Sequence, residues 1–175
     1  CAYNCCKVRA VATAACRMAG NGMDFVRRVA EQCGLQLEVI DGAEEARLNL
    51  KGAVMNSKGL APYVVVYDLG GGSTEITLAT NDAEQKILYT VSIPWGARNA
   101  AETFRLEDIY DEERAEKLRQ VVKAYTDDFK AKSGYEQLKD KCCAVATSSN
   151  PLRLSAWIHQ RGEYVRERED GQVLQ

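Results

Sequence analysis

Residues 63–79, YVVVYDLGGGSTEITLA, constrain this chain more than any other stretch. Val64, Val65 and Val66 make a β-branched run, too short for a helix and suited to a buried strand. Asp68 closes the run, Gly70, Gly71, Gly72, Ser73, Thr74 and Glu75 follow, and Ile76 to Leu78 resume strand character. The pattern predicts strand, tight glycine turn, strand. Glycine tolerates positive φ and leaves no side chain in the way of a ligand. Successive backbone N–H groups in such a turn can point at one anion, most often phosphate. Asp68 and Glu75 bracket the turn, and hard carboxylate oxygens there suit Mg²⁺ beside a bound phosphate, directly or through water. The plain alternative is a hairpin with a loose glycine loop. The bracketing carboxylates and the Ser73-Thr74 pair favour phosphate with metal. The spacing is neither GxxxxGK(S/T) nor GxGxxG, so it is neither a P-loop nor a Rossmann fingerprint.

The remainder supplies an α/β framework around that turn. Residues 8–14 and 35–40 read as strands, with an amphipathic helix over 23–33 between them and Gly34 as its stop. Residues 44–54 read as a second helix. Residues 55–62, with Asn, Ser, Gly and Pro, are the best boundary, giving parts 1–57 and 58–175. Residues 87–93 complete an antiparallel meander of three strands, which Pro94 and Gly96 break. A short helix is expected over 99–104 and a long one over 111–131, then a buried strand over 142–147 and a helix over 152–158. The mixed charges after His159 read as a solvated face.

Composition narrows the classes. With 46% apolar residues the chain can bury a core, and a net charge of −2 gives no reason to expect nucleic acid as partner. No run reaches the length of a membrane span. The seven cysteines include the adjacent pairs Cys5-Cys6 and Cys142-Cys143, with no CxxC and a single histidine, His159. That pattern suits reduced thiols of a cytoplasmic protein better than a disulfide frame or a zinc site. The first residue is Cys1 rather than Met, so an excised part of a longer protein is expected.

Five stretches together carry a family resemblance: RAVATAACR (9–17), LEVIDGAEEARL (37–48), VVVYDLGGGSTEITLA (64–79), SIPWGARNAAETF (92–104) and AVATSSNPLRLSA (144–156). In this order and spacing the chain resembles the exopolyphosphatase and guanosine pentaphosphate phosphohydrolase family. That family lies within the sugar kinase, actin and heat-shock chaperone ATPase superfamily. The resemblance implies an actin-like ATPase fold, present in part: the end of lobe one and most of lobe two. The first lobe's DxGSNS-type phosphate loop is absent from this sequence. By the same resemblance Glu45 is the base that activates water, with Glu44 its adjacent rival; Asp68 and Glu75 carry Mg²⁺ or Mn²⁺. Gly70, Gly71, Gly72 and Ser73 donate to phosphate, and Arg17 meets it too, with Arg98 a weaker match. Read alone, Glu45 is an exposed residue at a helix start, and Arg17 a surface arginine. Where the family carries a glycine-rich loop, this chain has Ala146, Thr147, Ser148, Ser149 and Asn150, with two glycines missing.

The resulting expectation is a metal-dependent phosphohydrolase acting on inorganic polyphosphate or pppGpp, in a possible homodimer. A kinase or ATPase of the same superfamily shares the glycine turn, though the EEAR stretch before it favours the hydrolase. A non-catalytic phosphate- or nucleotide-sensing fragment is the third class, and the missing first loop favours it. The 175 residues alone are expected to be nearly inactive.

Overall fold

Short strands and helices alternate from the start of the chain, and the computed structural model describes residues 6–55, 57, 59–106 and 111–172. Two compact units result, Cys1–Glu45 and Ala46–Gln175. Cys1 and Cys5 lie outside the described residues; Cys6, Cys16, Cys33, Cys142 and Cys143 are free thiols.

In the first unit β1 (Ala10–Ala12) and β2 (Leu37–Val39) pair in parallel, with Ala10 opposite Leu37. Parallel pairing needs a crossover, supplied by α1 (Ala14–Met18) and α2 (Gly22–Cys33). The strand expected over 8–14 is therefore shorter. Its last residue opens α1, because the Ala-Ala-Cys-Arg-Met run has no β-branching and good helix formers. Gly34 ends α2 in the left-handed region (φ 66°), its N–H donating to the Ala30 carbonyl at 3.0 Å.

Helix α3 (Gly42–Ala53) begins at Asp41, whose carboxylate accepts from the Glu44 N–H at 2.8 Å. The division between the compact units falls inside this helix, at Glu45/Ala46. The reason is packing: Leu50, Ala53 and Val54 bury against Val64, Val66 and Ala79 of the second unit's sheet.

That sheet is mixed, in the order β5-β4-β3-β6. Strands β3 (Tyr63–Leu69), β4 (Thr74–Thr80) and β5 (Ile87–Ile93) form the antiparallel meander, and β6 (Cys142–Thr147) runs parallel to β3. Alternation gives each face its own core. Val64, Val66, Ala79 and Val145 face α3, while Ile76, Leu78 and Ile93 face the long helix α5 (Glu112–Ser133) at Phe129. Between the sheet and α5 in sequence stands α4 (Ala97–Phe104). It starts two residues earlier than the sequence suggested, because Gly96 serves as its N-cap. After α5 come the short α6 (Tyr135–Leu138), α7 (Ser149–Ile158) following β6, and α8 (Arg166–Glu169) in the charged tail.

Candidate functional site

On the face of the second sheet that packs against Leu50 and Val54, apolar residues give way to polar ones along the strands. Val64 and Ala79 are opposite each other, then Val66 and Thr77, then Asp68 and Glu75. The same row continues sideways, pairing Glu75 with Ser92 on β5 and Asp68 with Thr147 on β6. Directly paired residues point to the same face, so both carboxylates stand together. Ser92 Oγ donates to Glu75 Oε1 at 2.9 Å, and Thr147 Oγ1 donates to Asp68 Oδ1 at 2.9 Å. Asn49, on α3, donates to the other Asp68 oxygen through Nδ2. Asp68 is half-buried, whereas Glu75 is only 2% exposed.

Like charges at directly opposed positions destabilise a sheet, and a divalent cation turns that repulsion into attraction. The oxygens of Asp68 and Glu75, with the hydroxyls of Ser92 and Thr147 beside them, are hard donors of the kind Mg²⁺ takes, and Mg²⁺ needs only one or two carboxylates when phosphate and water complete its shell. Among the described residues no group of three or more His, Cys, Asp or Glu side chains stands ready to hold a metal unaided. The residues present therefore fit a cation shared with substrate.

Between Asp68 and Glu75 lies the glycine loop, residues 70–73, closed by the Gly70 N–H donating to the Ser73 carbonyl at 3.0 Å. None of Gly70, Gly71 and Gly72 is among the positive-φ glycines, so the loop does not use glycine for left-handed backbone. A Cβ on Gly70 would lie 3.1 Å from Ser73 O and one on Gly71 4.0 Å from Arg98 Cβ, so the tight approach is made by Gly96 and not by the loop glycines themselves. A Cβ built on Gly96 would lie 2.5 Å from Gly71 C and Gly72 N, and 2.6 Å from Gly70 O. The first turn of α4 thus sits directly on the loop. Ala97 N–H donates to Gly70 O at 2.9 Å, Arg98 and Asn99 N–H to Gly71 O at 3.0 and 3.2 Å, and Asn99 Nδ2 to Gly72 O at 2.9 Å.

These bonds fix the direction of the loop's other polar groups. In a trans peptide the carbonyl of one residue and the N–H of the next point opposite ways. With the carbonyls of residues 70, 71 and 72 turned into α4, the N–H groups of Gly71, Gly72 and Ser73 turn away from it. No acceptor among the described residues takes these three N–H groups. Such a run of free donors is an anion-binding concavity. A cavity of about 310 Å³ on the opposite sheet face, lined by Tyr67, Ile76, Ile93, Trp95 and Leu118, is apolar and unsuited to a polyanion.

The loop after β6 braces the same hairpin. Ser148 Oγ donates to Leu69 O at 2.7 Å, and Asn150 Nδ2 to the same carbonyl at 3.3 Å. Ser148 has φ 80° and ψ −178°, a region essentially reserved for glycine. Serine at this position thus holds a backbone that glycine adopts without strain.

In the first unit, Glu45 occupies the first turn of α3. Its Oε2 lies 3.4 Å from both Nη atoms of Arg17, whose Nη1 also donates to the Ile40 carbonyl at 2.6 Å. Neighbouring Glu44 instead takes a bond from Arg9 Nη1 at 2.9 Å, with Arg9 also bound to Glu38. The two glutamates are therefore held differently, and Arg17 and Glu45 are brought together.

Four residues of these arrangements receive no role from the motifs, although three of them lie in the 92–104 stretch: Asn49, Ser92, Gly96 and Asn99. For Asn49 a signal existed, since it interrupts the Ala46, Leu50, Ala53 apolar stripe. Gly96 reads from sequence only as a breaker, and Asn99 only as a helix residue.

The Ppx/GppA phosphatase family model matches residues 2–169. The chain belongs to that family. Among solved structures it is similar to the Aquifex aeolicus member of the Ppx/GppA protein family, at 28% identity over 90% of this chain and 48% of that one, with a TM-score of 0.61. An exopolyphosphatase-like protein matches at 25% identity over 93% of this chain and 51% of that one, TM-score 0.77. An exopolyphosphatase from Cytophaga hutchinsonii shares the fold at 21% identity, TM-score 0.70, over 92% of this chain and 50% of that one. The architecture is part of an actin-like ATPase fold. The chain spans about half the length of the structures it matches. Among the described residues no helix is long and apolar enough to cross a membrane.

Proposed function

We propose that the protein containing this chain is a phosphohydrolase that releases the terminal phosphate of inorganic polyphosphate or of pppGpp. One observation carries the reading: three consecutive outward N–H groups, of Gly71, Gly72 and Ser73, stand between the paired carboxylates Asp68 and Glu75. Membership of a phosphatase family supports it. In this proposal the units contribute to the two lobes of the fold, with the lobe boundary near residue 57.

The N–H groups of residues 71–73 bind oxygens of the terminal phosphate. Asp68 and Glu75 would hold Mg²⁺ or Mn²⁺, which when bound neutralises charge on the phosphate oxygens. Thr147 and Asn49 keep the Asp68 carboxylate oriented. Glu45, steadied by Arg17, takes the proton from the attacking water. The water oxygen bonds to phosphorus, the bridging P–O bond breaks, and orthophosphate leaves with a substrate shortened by one phosphate. Phosphoryl transfer needs positioning and charge stabilisation more than covalent help, which is what this set of residues offers.

The test is phosphate release from polyphosphate and pppGpp, against ADP release from ATP, in the full-length protein and its Glu45→Gln variant. Glutamine still hydrogen-bonds the water but takes no proton, so activity should fall roughly 10²–10⁴-fold. Undiminished activity would remove Glu45 as base. ADP release from ATP without attack on either phosphate substrate would replace the hydrolase with an ATPase or kinase.

A further inference from the structure

Glycine peptides flip at low cost, because glycine accepts both signs of φ. A flip of the 72–73 peptide would turn a carbonyl towards the bound anion where an N–H is needed. Something must therefore hold the loop in the donor-outward state. The candidate is a single side chain with every polar atom in use. Asn99 Nδ2 donates to Gly72 O at 2.9 Å and to Pro94 O at 3.1 Å. Its Oδ1 accepts from the Gly96 N–H at 2.7 Å, and its own N–H donates to Gly71 O at 3.2 Å.

We propose that Asn99 is a positioning residue, holding the glycine loop so that the N–H groups of Gly71, Gly72 and Ser73 converge on a phosphate. The proposal rests on the phosphate-site reading above and adds what maintains it. Asn99 ties three things together: the Pro94 carbonyl just after β5, the N-cap of α4, and the last carbonyl of the glycine run. Only the amide's donor end faces the loop; its acceptor end serves the helix start. The two duties are separable by chemistry. Aspartate keeps the acceptor for the Gly96 N–H and suits the first turn of a helix. It loses the donor and sets a carboxylate against the carbonyls of Gly72 and Pro94. A merely structural Asn99 would cost stability but leave the folded variant's response to phosphate intact; a positioning Asn99 would cost that response as well.

The experiment uses the full-length protein, labelled with ¹⁵N-glycine and ¹⁵N-serine, and titrated with inorganic phosphate. In wild type the amide signals of Gly71, Gly72 and Ser73 should shift. In Asn99→Asp the signals of Gly72 and Ser73 should lose that response. Its kcat on polyphosphate or pppGpp should fall about 10²-fold, the scale of losing one preorganised donor, with KM changing less. The melting temperature should fall by several degrees, since two hydrogen bonds are lost, with the variant still folded at the assay temperature. A variant that binds phosphate and turns over like wild type would overturn the positioning role while leaving the phosphate site standing. Wild-type amides that ignore phosphate would overturn the site itself, and this proposal with it. Should Asn99→Asp unfold, Asn99→Ser, whose hydroxyl can still accept from the Gly96 N–H, is read by the same amides and the same kcat.

Discussion

Replacing Gly96 by alanine tests the close seat of α4 on the glycine loop. The added Cβ would meet Gly71 C and Gly72 N at 2.5 Å and Gly70 O at 2.6 Å. Ordinary carbon contacts sit near 3.5–4.0 Å, so loop and helix must part by about 1 Å. All three clashing atoms are backbone, and no rotamer relieves them. Parting by that much stretches the Ala97–Gly70 and Arg98–Gly71 bonds, now 2.9 and 3.0 Å, beyond hydrogen-bond range. Overpacking costs ~1–3 kcal/mol, and two lost hydrogen bonds add ~1–3 kcal/mol. The sum, ~2–6 kcal/mol, lowers the melting temperature by roughly 5–20 °C for a chain of this size. Phosphate release should fall with it, because the loop N–H groups lose their backing. The matched control is Gly52→Ala, where the new Cβ meets nothing within 4 Å inside α3. There the helix should gain ~0.5–1 kcal/mol. Thermal melts of both variants decide the matter. A Gly96→Ala protein melting within ~2 °C of wild type would refute the steric reasoning.

At Ser148 the expectation is the reverse. Ser148→Gly relieves ~1–3 kcal/mol of backbone strain and loses one hydrogen bond of ~0.5–1.5 kcal/mol. The melting temperature should rise modestly, whereas Ser148→Ala, keeping the strain and losing the bond, should lower it; the opposite ranking would sink the strain argument. Glu169 should set part of the acid sensitivity. Its carboxyl is held below its ordinary value of 4.5 by the Ser155 hydroxyl first and Arg161 next, against the pull of burial. A depressed carboxylate contributes stability above its unfolded pKa and loses it as pH falls through the folded value. Melting temperatures of Glu169→Gln should therefore be lower at neutral pH and flatter below about pH 4.5 than those of wild type; parallel curves would show that Glu169 carries no such linkage.

What the sequence made legible was local. The valine run, the glycines and the resumed strand fix a hairpin by propensity and punctuation, and the register then sets Asp68 opposite Glu75. Arg17 and Glu45 were found by motif, but their pairing spans 28 positions and rests on how β1, α1 and β2 fold back. Gly96 shows the limit most plainly. Its identity is readable, yet nothing local tells that the backbone it touches is the glycine loop. Ser148 shows another limit, since nothing about a serine there announces the glycine-type backbone it adopts.

The reason such distant residues meet is the parallel pairing of β3 with β6. Two parallel strands end at the same edge, and ligands in sheets of this kind gather beyond the carboxyl ends of the strands. Asp68 is the last but one residue of β3, and its register partner Thr147 is the last of β6. The antiparallel meander brings the start of β4, with Glu75, and the end of β5, with Ser92, to that edge as well. The chain leaves β5 through Pro94 and Trp95 straight into Gly96 and α4, so the helix start arrives beside the glycine loop by connection alone. A one-residue slip of β6 against β3 would turn Thr147 to the other face and leave Asp68 without its hydroxyl partner. The apolar pairing of Val66 with Val145, two residues earlier on the same face, guards against that slip. The site's geometry is thus held by core residues that carry no chemistry of their own.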